Sequence, residues 1–110
     1  MHHFSSSRRL TKKAEFNHVF NRAQKLVCGR ITLLYKPNTL AYARLGFAIS
    51  KRFAKRAVLR NKIRRTIKES FRQQTNLPAY DLVVLLNQTC DKQNADLIHK
   101  HIEHLWQKLN

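Results

Sequence analysis

From Ala57 onward the apolar residues Leu59, Ile63, Ile67 and Phe71 recur four apart, which puts them on one stripe of a helix and requires a core for that stripe to face. Beside it Arg60, Arg64, Lys68 and Arg72 form a second four-residue row, flanked by Lys62 and Arg65, so the helix has a dry face and a cationic face. Upstream, the hydroxyl of Thr11 is suited to N-capping, and Phe16, Val19, Phe20 and Ala23 share a face; a first helix is predicted over about 11–22. Gly29 interrupts that pattern before Arg30–Lys36, whose β-branched and aromatic content and stop at Pro37-Asn38 predict a strand. A short strand over Lys25–Cys28 can precede it. Arg44–Ser50 alternates Leu45, Phe47 and Ile49 with smaller residues, and the strands at 30–36 and 44–50 are expected to pair as an antiparallel hairpin. After a loop over 75–79, the apolar run Asp81–Asn87, bounded by polar residues, reads as a buried strand in mid-sheet. Near 95–109, Ile98, Ile102, Leu105, Trp106 and Leu109 define an amphipathic helix that closes over a sheet.

The order helix, strands, basic helix, strand, helix predicts the α+β class, a single compact α/β sandwich with one mixed sheet of about four strands and three helices. Strand, helix and strand around 44–87 form a crossover. Residues 1–10 are polar and basic without periodicity and are expected to be a loose arm, leaving 11–110 as the domain. One hundred and ten residues, 43% of them hydrophobic, suffice for one core and not for two.

Charge narrows the function. A formal net charge of +16 disfavours the free folded chain through self-repulsion and marks a polyanion as partner. Ten of the lysines and arginines fall within Lys51–Arg72, against one acid, Glu69, a density that a merely solvated surface does not explain. Residues 81–110 carry three basic and four acidic side chains, so that segment is a packing element. Cys28 and Cys90 stand too far apart for a metal pair or redox motif and read as reduced thiols. His99, His101 and His104 on the last helix lack the further ligands of a metal site and read as surface residues. The start of the chain has no apolar run like that of a signal peptide and no stretch spans a membrane, so a cytoplasmic location is expected. The six acids Glu15, Glu69, Asp81, Asp91, Asp96 and Glu103 are scattered, without the paired spacing of a protein nuclease.

The segment Arg60-Asn61-Lys62-Ile63-Arg64-Arg65 resembles the Arg-Asn-Arg signature helix of the bacterial ribonuclease P protein family, with Lys62 in place of the final arginine. That exchange keeps the cation but loses the bidentate guanidinium fork. Thr11–Phe20 resembles the family's first helix, Arg44–Arg52 its strand entering the signature, and Tyr80–Leu86 its last strand; the order and spacing of these blocks, from about Arg9 to Leu109, are more specific than any one of them.

The resemblance implies the family's ribosomal-protein-like fold and a role as the protein subunit of an RNA-based endonuclease. That enzyme removes the 5′ leader of precursor tRNA with magnesium ions held mainly by the RNA subunit, so the protein contributes binding and no catalytic residue. Its partners would be the catalytic RNA and precursor tRNA, with neither a membrane nor an obligate protein partner. The RNA-subunit surface would comprise Arg56, Arg60, Asn61, Lys62, Arg64, Arg65 and Lys68. Phe16, Phe20 and Tyr35 would line the cleft for the unpaired leader, stacking on bases of any identity, with Lys51, Arg52 and Lys55 near its backbone. Periodicity by itself would place Phe16 and Phe20 equally well in a core, and Tyr35 shares strand parity with Ile31 and Leu33. Two other readings are a small basic ribosomal or RNA-chaperone protein with no role in cleavage, and a DNA-binding regulator using 57–72 as a recognition helix.

Overall fold

The computed structural model describes residues 8–109. Its elements are α1 (Lys13–Phe20), β1 (Gln24–Cys28), β2 (Ile31–Pro37), β3 (Arg44–Ala48), α2 (Ala57–Arg72), β4 (Tyr80–Leu86), a 3₁₀ turn (Asn94–Leu97) and α3 (Ile98–Leu109). The strands form one mixed sheet in the order β1-β2-β4-β3. β4 lies antiparallel to β2 and parallel to β3, so β3, α2 and β4 make the expected crossover with β4 in mid-sheet.

The expected antiparallel hairpin of β2 with β3 is not formed, because β4 inserts between them. The hairpin is instead β1 with β2, closed by Gly29 and Arg30 with Cys28 opposite Ile31. Gly29 has φ +58°, and a Cβ there would collide with the His101 ring of α3. Only glycine meets both demands without strain.

Strand alternation divides the sheet between two cores. Ile31, Leu33, Leu45, Leu82, Val84 and Leu86 face α2 and α3, where Ile63, Ile67, Phe71, Ile102, Leu105 and Trp106 are fully buried. Leu34, Ala48, Val83 and Leu85 face the other way, against Leu10, Phe16 and Val19. The helices therefore cover both faces of the sheet and do not form one layer, with α1 a short cover over part of the second face.

The arm expected over 1–10 is attached where it is described. Arg9 bridges Leu45 in parallel fashion, Leu10 N–H donates to Leu45 O at 2.9 Å, and the Leu10 side chain is buried. Arg8 lies 4.8 Å above the Phe71 ring. Residues 1–7 lie outside the described part. Helix α1 starts at Lys13 and not at Thr11, since Glu15 caps its own helix: its Oε1 accepts from the N–H groups of Thr11 and Lys12 at 3.1 and 3.0 Å.

Candidate nucleic-acid interface

Helix α2 buries Ile63, Ile67, Ser70 and Phe71 and turns its cations outward as the spacing predicts. Arg56, Asn61, Lys62 and Arg65 are exposed, while Arg60, Arg64 and Lys68 are half-buried beside the apolar stripe. These side chains have different present duties. The Arg60 guanidinium donates to the carbonyls of Ala54 and Lys55, both at 2.9 Å, closing the loop that enters the helix. Arg64 donates to the Asn61 side-chain oxygen at 3.2 Å, and Lys62 pairs with Asp96 at 3.2 Å in an exposed contact. Among the described residues neither Arg56 nor Arg65 has an ion-pair partner.

Val58, 79% exposed, lies one, one and two turns before Asn61, Lys62 and Arg65 on the same side of α2. It gives the cationic face an apolar spot that the sequence reading missed. The signal was present, since Val58 stands one residue off the four-residue stripe begun by Leu59.

The second surface lies across the sheet. Phe16 packs half-buried against Leu10 and over Gly46, where an added Cβ would come within 2.8 Å of both side chains. Phe20 is 45% exposed with its ring centroid 6.4 Å from that of Phe16. Tyr35 does not join them. It packs against the core under α2 and α3, its ring 5.2 Å from that of Tyr80, because it has the parity of Leu33 and not of Leu34. What accompanies the two phenylalanines is half-buried Leu34, Ala48 and Leu85, with Val27, 48% exposed, on the same face as its cross-strand partner Thr32. Lys25, opposite Leu34, is exposed beside them. The β alternation of Lys25, Val27 and Leu34 was legible, but which parity faced α1 was not.

Lys51, Arg52 and Lys55 are exposed in the connection between β3 and α2. Ser50 shapes this turn: its hydroxyl accepts from Arg52 N–H at 3.0 Å and its carbonyl from Phe53 and Ala54 N–H. The Arg52 guanidinium stands 5.4 Å over the Phe53 ring.

All six acids have structural partners. Arg44 grips the buried Asp81 through Nε and Nη2 at 2.8 and 2.7 Å and donates through Nη1 to Glu15 Oε2 at 2.6 Å. Glu69 pairs with Arg72 and Asp96 with Lys62. Glu103 accepts from Ser70 at 2.5 Å, and Asp91 from Asn94 N–H at 2.9 Å. Hydrogen bonds from Lys12 N–H, Thr11 N–H and Arg44 hold the Glu15 carboxyl below its usual range. Burial would raise Asp81, yet Arg44 and Asn38 outweigh it and keep it low. Burial pushes the Cys90 thiol up, away from reactivity. Among the described residues no three His, Cys, Asp or Glu side chains cluster to hold a metal ion, and no helix is long and apolar enough to cross a membrane.

A positive helix on one side of a sheet and an open aromatic and aliphatic surface on the other suit a chain that grips folded RNA and unpaired nucleotides at once. Known proteins agree in kind. The family model described as Ribonuclease P matches residues 4–110. The Ribonuclease P protein component of Legionella pneumophila strain Corby is 40% identical over 106 residues, covering 96% of this chain and 92% of that relative; that of strain Lens is equally similar. The solved RNase P protein of Staphylococcus aureus matches with a TM-score of 0.80 at 27% identity, over 94% of this chain and 98% of that one. The RNase P protein of Thermotoga maritima shares the fold, with a TM-score of 0.74 at 23% identity over 93% and 97% of the two chains.

Proposed function

The chain belongs to the ribonuclease P protein component family, from which its part in removing the 5′ leader of precursor tRNA follows, and on that premise we propose a division of labour over its two surfaces. The α2 face, with Arg56, Asn61, Lys62, Arg64, Arg65 and Lys68, docks on phosphates and sugars of the catalytic RNA. Arg60 contributes to that face while holding the entry loop closed. Phe16 and Phe20 stack on leader nucleotides above a floor of Leu34 and Leu85, with Val27 at its edge, and Lys25, Lys51, Arg52 and Lys55 attract the leader backbone. Tyr35 supports this surface from the opposite side of the sheet. Magnesium ions sit on the RNA and supply the hydrolytic chemistry there; the protein acts in the cytoplasm with these RNAs as its partners and without an obligate protein partner.

The observation that carries this reading is that the exposed cations of α2 and the exposed Phe20 lie on opposite sides of one sheet. One chain can thereby touch two RNAs without competition between them. Reconstitution with the RNA subunit tests it. Arg65→Ala should weaken binding to that RNA and lower the salt slope of log K by about 0.7–0.9. Phe20→Ala should leave RNA-subunit binding intact and reduce the preference for precursor over mature tRNA by roughly tenfold, the loss of one stacked base. Indistinguishable profiles for the two variants would refute the two-surface assignment.

A further inference from the structure

Helix α1 has eight residues, too few to persist on its own, and Val19 is its one fully buried side chain. Its apolar hold on the sheet is slight because Phe16 is half-buried and Phe20 turned to solvent. Beside His18 opens a groove of about 320 Å³, lined also by Lys36, Asn38, Arg44 and Asp81 among others. Polar bonds also hold the two ends of the helix.

At the N-terminal end Glu15 has two tasks. Oε1 accepts the N–H groups of Thr11 and Lys12, and Oε2 accepts Arg44 Nη1 at 2.6 Å. Arg44 is itself fixed by the two-pronged grip on Asp81, its parallel-sheet neighbour, and Asp81 Oδ1 also accepts Asn38 Nδ2 at 2.9 Å. At the C-terminal end Lys36 Nζ donates to the carbonyls of His18 and Asn21 at 3.1 and 3.0 Å. A lysine on a helix's last carbonyls is favoured by the macrodipole as well.

We propose that Glu15, Arg44, Asp81 and Lys36 are positioning residues for leader recognition. They form two polar clamps that set the height and angle of α1 on the sheet and so the distance between Phe20 and the cleft floor. The inference rests on the assignment of Phe16 and Phe20 to the leader. It goes further by giving leader discrimination to buried and half-buried charges that touch no RNA. The clamps also explain how Phe20 stays exposed, since a helix held by its ends need not bury its aromatic ring to remain in place.

The test uses the holoenzyme, reconstituted from the RNA subunit with the wild-type protein or with Glu15→Gln, Arg44→Lys, Lys36→Met or Phe20→Ala. Glu15→Gln keeps an oxygen for the helix cap and loses the charge that holds Arg44. Two ratios are read well below the unfolding midpoint of each variant: the affinity for precursor tRNA over mature tRNA, and the affinity for the RNA subunit. The clamp variants should lower the first ratio three- to tenfold and leave the second within twofold. On a Phe20→Ala background, Glu15→Gln should lower the first ratio by a smaller factor than it does in the wild-type protein, because one of the two rings it positions is gone. If Phe20→Ala reduces the ratio and Glu15→Gln, Arg44→Lys and Lys36→Met do not, the clamp proposal is overturned while the leader assignment survives. If Phe20→Ala itself has no effect, the leader assignment fails instead. Should the clamp variants weaken RNA-subunit binding as much as leader discrimination, their role is general stability and the proposal falls.

Discussion

Arg44 shows how one side chain can organise a surface it does not belong to. Its bonds to Asp81 raise its own pKa, and Glu15 and Asp81 are both held below the ordinary carboxylate range. A carboxylate with a lowered folded-state pKa adds stability that is complete above its unfolded value near 4 and is lost as pH falls through the folded value. Urea unfolding should therefore show stability steady near neutrality and falling below about pH 4. Arg44→Met should cost about 3 kcal/mol at pH 7, because Asp81 is 1% exposed and loses its charge partner, and should flatten the acid fall. An unchanged acid profile would mean the network is not coupled to folding. At this scale the sequence was legible where charge and period agreed, as for Arg56 and Arg65, and illegible where one residue of parity decided. Tyr35 and Leu34 are adjacent, yet a sheet face separates them, and nothing local says which face α1 covers. Nor could spacing show that the Arg60 guanidinium closes the loop over Ala54 and Lys55.

Between elements, the joint that presents α2 is its contact with α3. Ser70 is buried in mid-interface, where its hydroxyl accepts the Trp106 indole N–H at 2.8 Å and donates to Glu103 at 2.5 Å, and the Phe71 and Trp106 rings lie 5.9 Å apart. Ser70→Ala leaves the indole N–H without its partner and should cost about 1–3 kcal/mol in thermal or urea unfolding. Trp106→Ala should cost more, about 3–5 kcal/mol, through the cavity it leaves. Equal and small losses for both would show that the joint contributes little. The long periodic elements α2, β4 and α3 were legible because each carries its pattern over several turns or a whole strand. The pairing of β2 and β3 was not legible, because adjacency along the chain does not impose adjacency in the sheet. The true neighbour of both, β4, begins thirty-two residues beyond the end of β3, and such a non-local choice leaves no mark on either strand.

For the whole molecule, the +16 charge sets stability against binding. Salt screens self-repulsion in the free chain and should raise its Tm between about 0.02 and 0.3 M NaCl. The same salt should weaken RNA-subunit affinity, by about three to four decades per tenfold if some four phosphates are neutralised. Calorimetry and filter binding across one salt series would show the opposed signs, and a Tm that falls with salt would contradict the repulsion argument. The strand order has a consequence for biogenesis. By the time a ribosome has made residue 79, it has produced nearly every basic side chain of the protein, yet the slot between β2 and β3 still awaits its strand. The nascent polypeptide is thus already adhesive to nucleic acid before it has an architecture. Residues 81–110, nearly neutral, supply that strand and the closing helix, and so convert indiscriminate stickiness into a shaped instrument.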